Sequence, residues 1–179
     1  MLDYGCGKLR YTIPLAEKGC NVVAVDSIEQ IDKIQNVNDI KTSVRKYVNN
    51  YIQNVKVYSL EDTEWINSRY KFIVCCNVLS AIPVYKERIK IFKNIKKVLD
   101  DNGRALISIQ YRNSYFNKYI ERKDCRRYYD GWIIESNNNP AFYGLIGLEK
   151  MIYYAKKVGL KVEKSYKKDG SAYLILKKY

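Results

Sequence analysis

The sequence predicts an α/β fold, a three-layer sandwich built on a mostly parallel seven-stranded sheet that ends in an antiparallel hairpin. Short runs rich in β-branched residues alternate along the chain with longer segments of helical apolar spacing. Strands that alternate with helices indicate a parallel sheet covered by helices on both faces. An Asp169-Gly170 turn joins the last two strand-like runs and predicts the hairpin.

Seven strands are expected, because a strand tail at residues 1–3 is followed by six apolar, β-branched runs. The six runs are residues 22–26, 55–59, 72–76, 105–110, 160–165 and 172–176. The strongest helical spacing begins at Tyr85 and continues to Leu99, with Asn102-Gly103 as its stop signal. A second helix is predicted over residues 148–158, before Gly159, and weaker helices over 9–18 and 39–51.

Residues 1–179 are expected to form a single domain, because no repeat or linker divides them. The alternation of strands and helices stops over residues 111–147, which are rich in Tyr, Arg and Asn. This segment is interpreted as an insertion or lid that defines the substrate. Its aromatic and arginine side chains, among them Arg112, Tyr115, Phe116 and Trp132, could stack on bases and contact phosphate.

The chain of 179 residues contains no histidine. A histidine general base, a Ser-His or Cys-His nucleophile pair and a histidine metal ligand are therefore excluded. The five cysteines have no C-x-x-C spacing, so neither a disulfide framework nor a metal site is expected. No apolar run is long enough to span a membrane, and a soluble cytoplasmic protein is predicted.

The formal net charge of +13 raises nucleic acid as a partner, although a general compositional bias toward Lys, Asn, Ile and Tyr explains it equally well. The charge is concentrated at the C-terminal end, where residues 150–179 hold nine lysines against Glu163 and Asp169. The meaning of this concentration is left open.

A glycine turn opens the chain, in the segment Leu2-Asp3-Tyr4-Gly5-Cys6-Gly7, and a predicted helix follows it. Glycines allow the backbone to approach a ligand, and a helix N-terminus offers free N–H groups. Asp26 ends the next strand, 19 residues beyond Gly7, where a carboxylate can accept both ribose hydroxyls. The pattern predicts an adenosine-type site. Arg10 stands where a dinucleotide motif has its third glycine, which disfavours a packed pyrophosphate.

The same motif, with Leu15-Ala16-Glu17-Lys18-Gly19 and the strand ending in Asp26, resembles the class I (Rossmann-like) S-adenosylmethionine-dependent methyltransferases. The segment from Phe72 to Leu79 resembles the fourth-strand motif of that family, and Val98 to Ser108 resembles its fifth-strand region. The resemblance covers nearly the whole chain except residues 111–147. It implies methyl transfer from S-adenosyl-L-methionine to an acceptor that is left undetermined among small molecules, proteins and nucleic acids.

The resemblance also implies roles for six residues. Gly5 and Gly7 would allow the backbone to approach the methionyl part of the cofactor, and Asp3 would lie near its amino group. Asp26 would hold the ribose, Asp62 would contact the adenine, and Asn77 would face the methionine end or the substrate. No catalytic residue is assigned, and the polar candidates near the strand ends are Asn77, Ser80, Gln110, Tyr111 and Arg112.

Three departures from the family pattern leave alternatives open. Leu9 replaces a glycine and is expected to narrow the cofactor pocket, and Ser80-Ala81 stands where the family commonly has Glu-His. The first strand is short, which suggests a truncated start or a separate N-terminal part. The first alternative is therefore a catalytically impaired cofactor-binding module that needs a partner or a missing N-terminal segment. The second is a nicotinamide-dependent oxidoreductase.

The motifs of two groups of DNA methyltransferases are missing. Enzymes that methylate amino groups of DNA carry Asp/Asn-Pro-Pro-aromatic after the fourth strand, whereas this chain has Asn77-Val78-Leu79-Ser80. No Pro-Cys nucleophile of the cytosine-C5 type is present. Nucleic acid remains one of three acceptor classes.

Overall fold

The computed structural model describes residues 1–111, 119, 121–136 and 139–179, without the side chains of residues 136 and 139. Its main sheet has seven strands. In spatial order they are β11 (Lys161–Lys168), β12 (Ser171–Lys177), β7 (Leu99–Gln110), β6 (Tyr70–Cys76), β1 (Leu2–Tyr4), β2 (Val22–Asp26) and β5 (Val55–Ser59).

The sheet is mostly parallel, as predicted. β1 lies between β2 and β6, and the pairs β2–β5 and β6–β7 are also parallel. β12 runs antiparallel to both β7 and β11, which gives the predicted terminal hairpin. The α/β fold with a terminal hairpin is therefore confirmed. The carboxyl ends of β6, β1, β2 and β5 meet at one edge of the sheet.

Helices cover both faces of the sheet in the described part of the chain. They are α1 (Thr12–Glu17), α2 (Ile28–Asp32), α3 (Val44–Tyr51), α4 (Thr63–Ile66), α5 (Tyr85–Val98) and α6 (Leu148–Lys157), with a short 3-10 helix at Leu79–Ala81. One buried cluster joins the sheet to α1, α2 and α3, through Ile31 and Val48 among others. A larger one joins it to α4, α5 and α6, through Trp65, Phe92 and Tyr154.

Two of the predicted boundaries differ most from the structure. The helix expected over residues 39–51 begins only at Val44, because β3 (Gln35–Val37) and β4 (Ile40–Thr42) form a hairpin before it. Asn38 and Asp39 form the turn of this β3–β4 hairpin. Their φ values of 45° and 66° are the left-handed conformation that favours two-residue hairpin turns.

The second difference concerns β7, which was predicted to begin at Ala105 but begins at Leu99, directly after α5 ends at Val98 and before the stop signal Asn102-Gly103. Leu99 already has extended backbone angles, is fully buried and pairs with Tyr70 of β6. Tertiary pairing therefore starts the strand before the local stop signal is reached. A Cβ on Gly103 would lie 2.9 Å from the carbonyl oxygen of Lys71, so the glycine allows β7 to approach β6 closely at this point.

Much of the C-terminal lysine concentration lies on β11, the outer strand of the sheet. Lys161, Lys164, Lys167 and Lys168 are exposed along it. Charged side chains on an edge strand disfavour pairing with a strand of another chain. Edge protection therefore accounts for four of these nine lysines.

The chain forms a small antiparallel sheet after β7 and before α6. Its strands are β8 (Cys125–Tyr128), β9 (Gly131–Ser136) and β10 (Asn139–Gly144). This small sheet occupies part of the segment that was interpreted as an insertion or lid. Residues 112–118 and 120, which include the candidates Arg112, Tyr115 and Phe116, lie outside the described residues. The lid role stays a prediction.

Arg88 of α5 ties the small sheet to the domain. Its guanidinium binds both carboxylate oxygens of Asp130, in the β8–β9 turn, at 2.6 and 2.9 Å. The Arg88 Nε also donates to the carbonyl of Ile82 at 2.6 Å, and Lys150 of α6 reaches Asp130 at 2.7 Å. The Arg88 side chain is only 2% exposed, so this ion pair lies inside the fold. Three separate segments of the chain meet at it.

Among the described residues, no helix combines the length and the apolar character needed to cross a bilayer.

Candidate functional site

The glycine turn lies where β1 leaves the sheet. The backbone N–H groups of Gly5 and Cys6 both donate to the carbonyl of Val25, at 2.7 and 3.1 Å. Gly5 and Gly7 have φ values of 77° and 55°, which favour glycine. The turn is therefore bonded to the end of β2, beside Asp26.

Asp26 holds the Gly7 end of the turn through its side chain. Its Oδ2 accepts the backbone N–H of Gly7 at 2.8 Å, and its Oδ1 accepts the backbone N–H of Ser27 at 2.8 Å. Burial raises the pKa of Asp26, while these two N–H donors and the charge of Lys33 oppose the rise. Each carboxylate oxygen keeps a lone pair for a further donor.

Gly5 and Gly7 differ in the space around them: Gly5 is closely packed, whereas Gly7 is not. A Cβ on Gly5 would lie 2.2 Å from Cγ2 of Val78, whereas a Cβ on Gly7 would meet nothing within 4 Å. Gly5 is thus required by packing against the loop after β6. Gly7 instead borders open space at the turn.

Asp3 is buried directly beneath the turn. Its carboxylate accepts the hydroxyl of Thr12, the first residue of α1, at 2.6 Å. Burial raises the pKa of Asp3 to about 6, and the nearby Asp26 adds to the rise, while the Thr12 hydrogen bond opposes it. Thr12 was not expected at the site, because no motif distinguishes it from other helix-starting residues.

A cavity of about 240 Å³ opens beside Gly5 and Asp26. Its walls are mainly apolar. Leu60 comes from the loop after β5, and Val78 comes from the loop after β6. The cavity is lined by Tyr4, Gly5, Asp26, Ser27, Leu60, Val78, Ile82, Glu87, Lys90, Ile91 and Asn94. Leu60, Val78 and the α5 side chains were not predicted as cavity residues, because the roles near Leu60 and Val78 were assigned to Asp62 and Asn77 and α5 carries no motif.

Asn77 follows β6 with a φ of 61°, uncommon for a residue other than glycine. Its backbone N–H donates to Ser108 and its carbonyl accepts the hydroxyl of Ser80, at 2.8 and 3.0 Å. Asp62 lies after β5, where its carboxylate accepts the backbone N–H of Ser59 at 2.7 Å. Neither side chain lines the 240 Å³ cavity.

All six predicted site residues lie at the carboxyl edge of four adjacent strands, β6, β1, β2 and β5. The structure brings Asp3, Gly5, Gly7 and Asp26 together around one turn, with Asn77 and Asp62 on either side. Leu9 does not line the cavity, because its side chain is fully buried in the cluster under α1. Leu9 therefore does not narrow this cavity, and its expected effect on a cofactor pocket stays a prediction.

The remaining polar candidates have partners of their own. Gln110 accepts the hydroxyl of Tyr143 at 2.8 Å, and the ring of Tyr111 lies 4.0 Å from the ammonium of Lys167. Tyr11, which was not among the predicted candidates, lies against Cys76, and burial together with that thiol raises the pKa of its phenol. In the described residues, no cluster of three or more potential metal ligands occurs.

The raised pKa of Asp3 predicts a pH-dependent stability. Between pH 3.8 and about 6 the folded protein holds a proton on Asp3 that the unfolded chain has released. The free energy of unfolding should therefore fall as pH rises through this window, with a contribution of at most ~1.4 kcal/mol per pH unit. Urea denaturation of the wild type and of Asp3→Asn across the window measures it. An unchanged slope in the variant would assign the effect to other groups.

Comparison with known proteins gives one family. Residues 1–162 match the family model described as a methyltransferase domain. The uncharacterized protein YmfD of Escherichia coli strain K12 is 38% identical over 173 residues, which cover 97% of this chain and 77% of YmfD.

Two solved structures have the same fold at low sequence identity. The PH0226 protein from Pyrococcus horikoshii OT3 superposes with a TM-score of 0.75 at 17% identity, covering 99% of this chain and 81% of that one. An S-adenosylmethionine-dependent methyltransferase from Clostridium acetobutylicum ATCC 824 has a TM-score of 0.68 at 16% identity, covering 99% of this chain and 82% of that one.

Proposed function

The chain belongs to the methyltransferase domain family, and on that basis we propose that S-adenosylmethionine is its cofactor and binds at the carboxyl edge of the sheet, around the glycine turn. The observation that carries this proposal is the arrangement of Asp26, Gly5 and Gly7. The carboxylate of Asp26 lines the cavity while it also holds the N–H of Gly7.

The residues present fit S-adenosylmethionine. The free lone pairs of Asp26 suit two ribose hydroxyls, and the apolar walls formed by Leu60, Val78 and Ile82 suit an adenine ring. The open space at Gly7 leaves room for a methionyl chain.

The proposed role of Asp3 agrees with its electrostatics. A buried carboxylate with a raised pKa is poorly solvated in its charged form, and a nearby ammonium group favours that form. Asp3 would therefore be ionised when it holds the cofactor amino group. Cofactor affinity should then fall as the solution is acidified below about pH 6.

Asn77 is proposed to face the methionine end of the cofactor, and Asp62 is proposed to contact its adenine end. The backbone of Asn77 is held by Ser108 and Ser80, which leaves its side-chain amide to face the methionine end or the acceptor. Asp62 already accepts one N–H through Oδ2 and keeps its other carboxylate oxygen for the adenine amino group.

S-adenosylmethionine supplies an electrophilic methyl group on a good leaving group, so the protein mainly has to position the acceptor and exclude water. The absence of histidine is compatible with that task. Tyr11 lies outside the cavity lining but follows the glycine turn, and its phenol, protonated at neutral pH like any tyrosine, is a candidate hydrogen-bond donor to an acceptor. The acceptor itself stays open among small molecules, proteins and nucleic acids.

Replacing Asp26 with alanine should weaken binding of S-adenosylhomocysteine by ~1–3 kcal/mol, the range for hydrogen bonds to a charged group. Isothermal titration calorimetry measures this loss as an increase in Kd. Asp32→Ala is the matched control, because Asp32 is exposed and pairs with Arg45 at 2.9 Å outside the cavity. Equal affinities of the wild type and Asp26→Ala would remove Asp26 from the ribose role.

The same titration with NAD separates the oxidoreductase alternative. We expect S-adenosylhomocysteine to bind and NAD to show no comparable heat, since Arg10 replaces the third glycine of the dinucleotide motif. Tighter binding of NAD would contradict the proposed site. Methyl transfer is then tested with radiolabelled S-adenosylmethionine and fractionated small molecules, protein and nucleic acid.

A further inference from the structure

A basic depression of about 570 Å³ lies on the side of the domain away from the glycine turn. Five of its six lining residues are cationic, and the sixth is Val158. The cations are Arg69, Lys93, Lys96, Lys97 and Lys178. In the described part of the chain, no acidic side chain lines it.

The topology places this basic depression at the amino edge of the parallel strands. Arg69 directly precedes β6, and Lys97 lies in the last turn of α5, just before β7. Lys178 follows β12, which runs in the opposite direction and so ends at the same edge. The seven residues of β6 separate this edge from Asn77 by roughly 20 Å, at about 3.3 Å per residue.

Three of the five cations are held in place. Arg69 donates to the carbonyl of Lys97, Lys96 donates to the carbonyl of Val158 at 2.8 Å, and Lys178 pairs with Asp101 at 3.0 Å. These bonds leave further N–H donors on each group. Side chains that are already ordered lose less conformational entropy when a ligand binds.

Lys93 and Lys97 extend into solvent from the same end of α5. Within the described residues, neither side chain has a hydrogen bond or an ion pair. The carboxylate of Asp101, 90% exposed, is paired with a single member of the set. One carboxylate thus neutralises only part of the charge of the five cations, which repel one another, and a bound anion would relieve that repulsion.

We propose that the basic depression binds the phosphate backbone of a nucleic acid. A nucleic-acid strand carries one charge per ~3.4 Å, so several phosphates can meet several of these cations at once. The net charge of +13 attracts such a polymer over longer range. A membrane surface fits less well, because Val158 is the one apolar lining residue and nothing large is available to insert between lipids.

The proposal does not rest on the proposed function. Bound nucleic acid would contact the edge opposite the glycine turn, so cofactor binding and nucleic-acid binding should be independent measurements.

The test measures fluorescence anisotropy of labelled 20-nucleotide single-stranded DNA and RNA between 50 and 200 mM salt. The variant Lys93→Gln/Lys97→Gln/Lys178→Gln removes three charges from the depression but keeps the Arg69 and Lys96 bonds. Its control, Lys18→Gln/Lys41→Gln/Lys46→Gln, removes three exposed lysines elsewhere. Both variants should keep the wild-type Tm and affinity for S-adenosylhomocysteine.

We expect the depression variant to lose tenfold or more in nucleic-acid affinity at 50 mM salt. The slope of log K against log salt should become shallower by about 2, from about 0.7 per phosphate contact on three contacts. The control should lose less than threefold. Equal losses in both variants would overturn the proposal, as would absence of wild-type binding. Binding of phosphatidylserine vesicles without nucleic-acid binding would assign the surface to a membrane and overturn it too.

Discussion

Replacing Arg88 with methionine is expected to lower the free energy of unfolding by about 3–5 kcal/mol, the range measured when one partner of a buried ion pair is removed. The substitution retains most of the side-chain volume but deletes both bonds to Asp130 and the bond to the Ile82 carbonyl. Asp130 is 21% exposed and keeps Lys150, which places the loss toward the lower end of the range.

Urea denaturation followed by circular dichroism measures the Arg88→Met effect. Lys90→Met is the control, because Lys90 lies on the same helix with its side chain 69% exposed and pairs weakly with Glu87 at 3.9 Å. The control should change stability by less than ~0.5 kcal/mol. A loss below ~1 kcal/mol in Arg88→Met would show that the ion pair does not tie the small sheet to the domain.

Gly5→Ala should destabilise the protein by about 2–5 kcal/mol and sharply weaken cofactor binding. The left-handed backbone costs an L-residue ~1–2 kcal/mol, and overpacking adds ~1–3 kcal/mol. The overpacking follows from the 2.2 Å approach to Val78, a wall of the cavity. A displaced Val78 would enter the space proposed for the cofactor.

Two variants separate these effects. Gly7→Ala has the same backbone cost at φ 55° without a clash, so it should lose only ~1–2 kcal/mol of stability. Val78→Ala combined with Gly5→Ala removes the clashing methyl groups and should recover part of the loss. If Gly5→Ala is no less stable than Gly7→Ala, the close contact with Val78 is not a constraint on the turn.

The central sheet could be predicted because its strands carry local signals. The runs 22–26 and 55–59 coincide with β2 and β5, and Asp26 ends β2 as expected. Glycines in a turn and a carboxylate at a strand end are visible without tertiary information. The edge at which six predicted residues meet follows from parallel pairing alone.

The remainder depends on contacts between distant segments. Arg88 and Asp130 are 42 residues apart, and neither belongs to a motif. The early start of β7 was missed because it depends on the pairing of Leu99 with Tyr70 across the sheet. The cavity walls Leu60 and Val78 are ordinary apolar residues until the fold places them beside Asp26.

The hydrogen bond from Gly7 to Asp26 has a kinetic consequence. The backbone N–H groups of Gly5, Cys6 and Gly7 are already bonded to Val25 and Asp26, so the conformational entropy of the turn is lost on folding rather than on ligand binding. A rigid turn of this kind is expected to associate with its ligand in a single kinetic phase, with no slower ordering step. Stopped-flow fluorescence would follow that single phase.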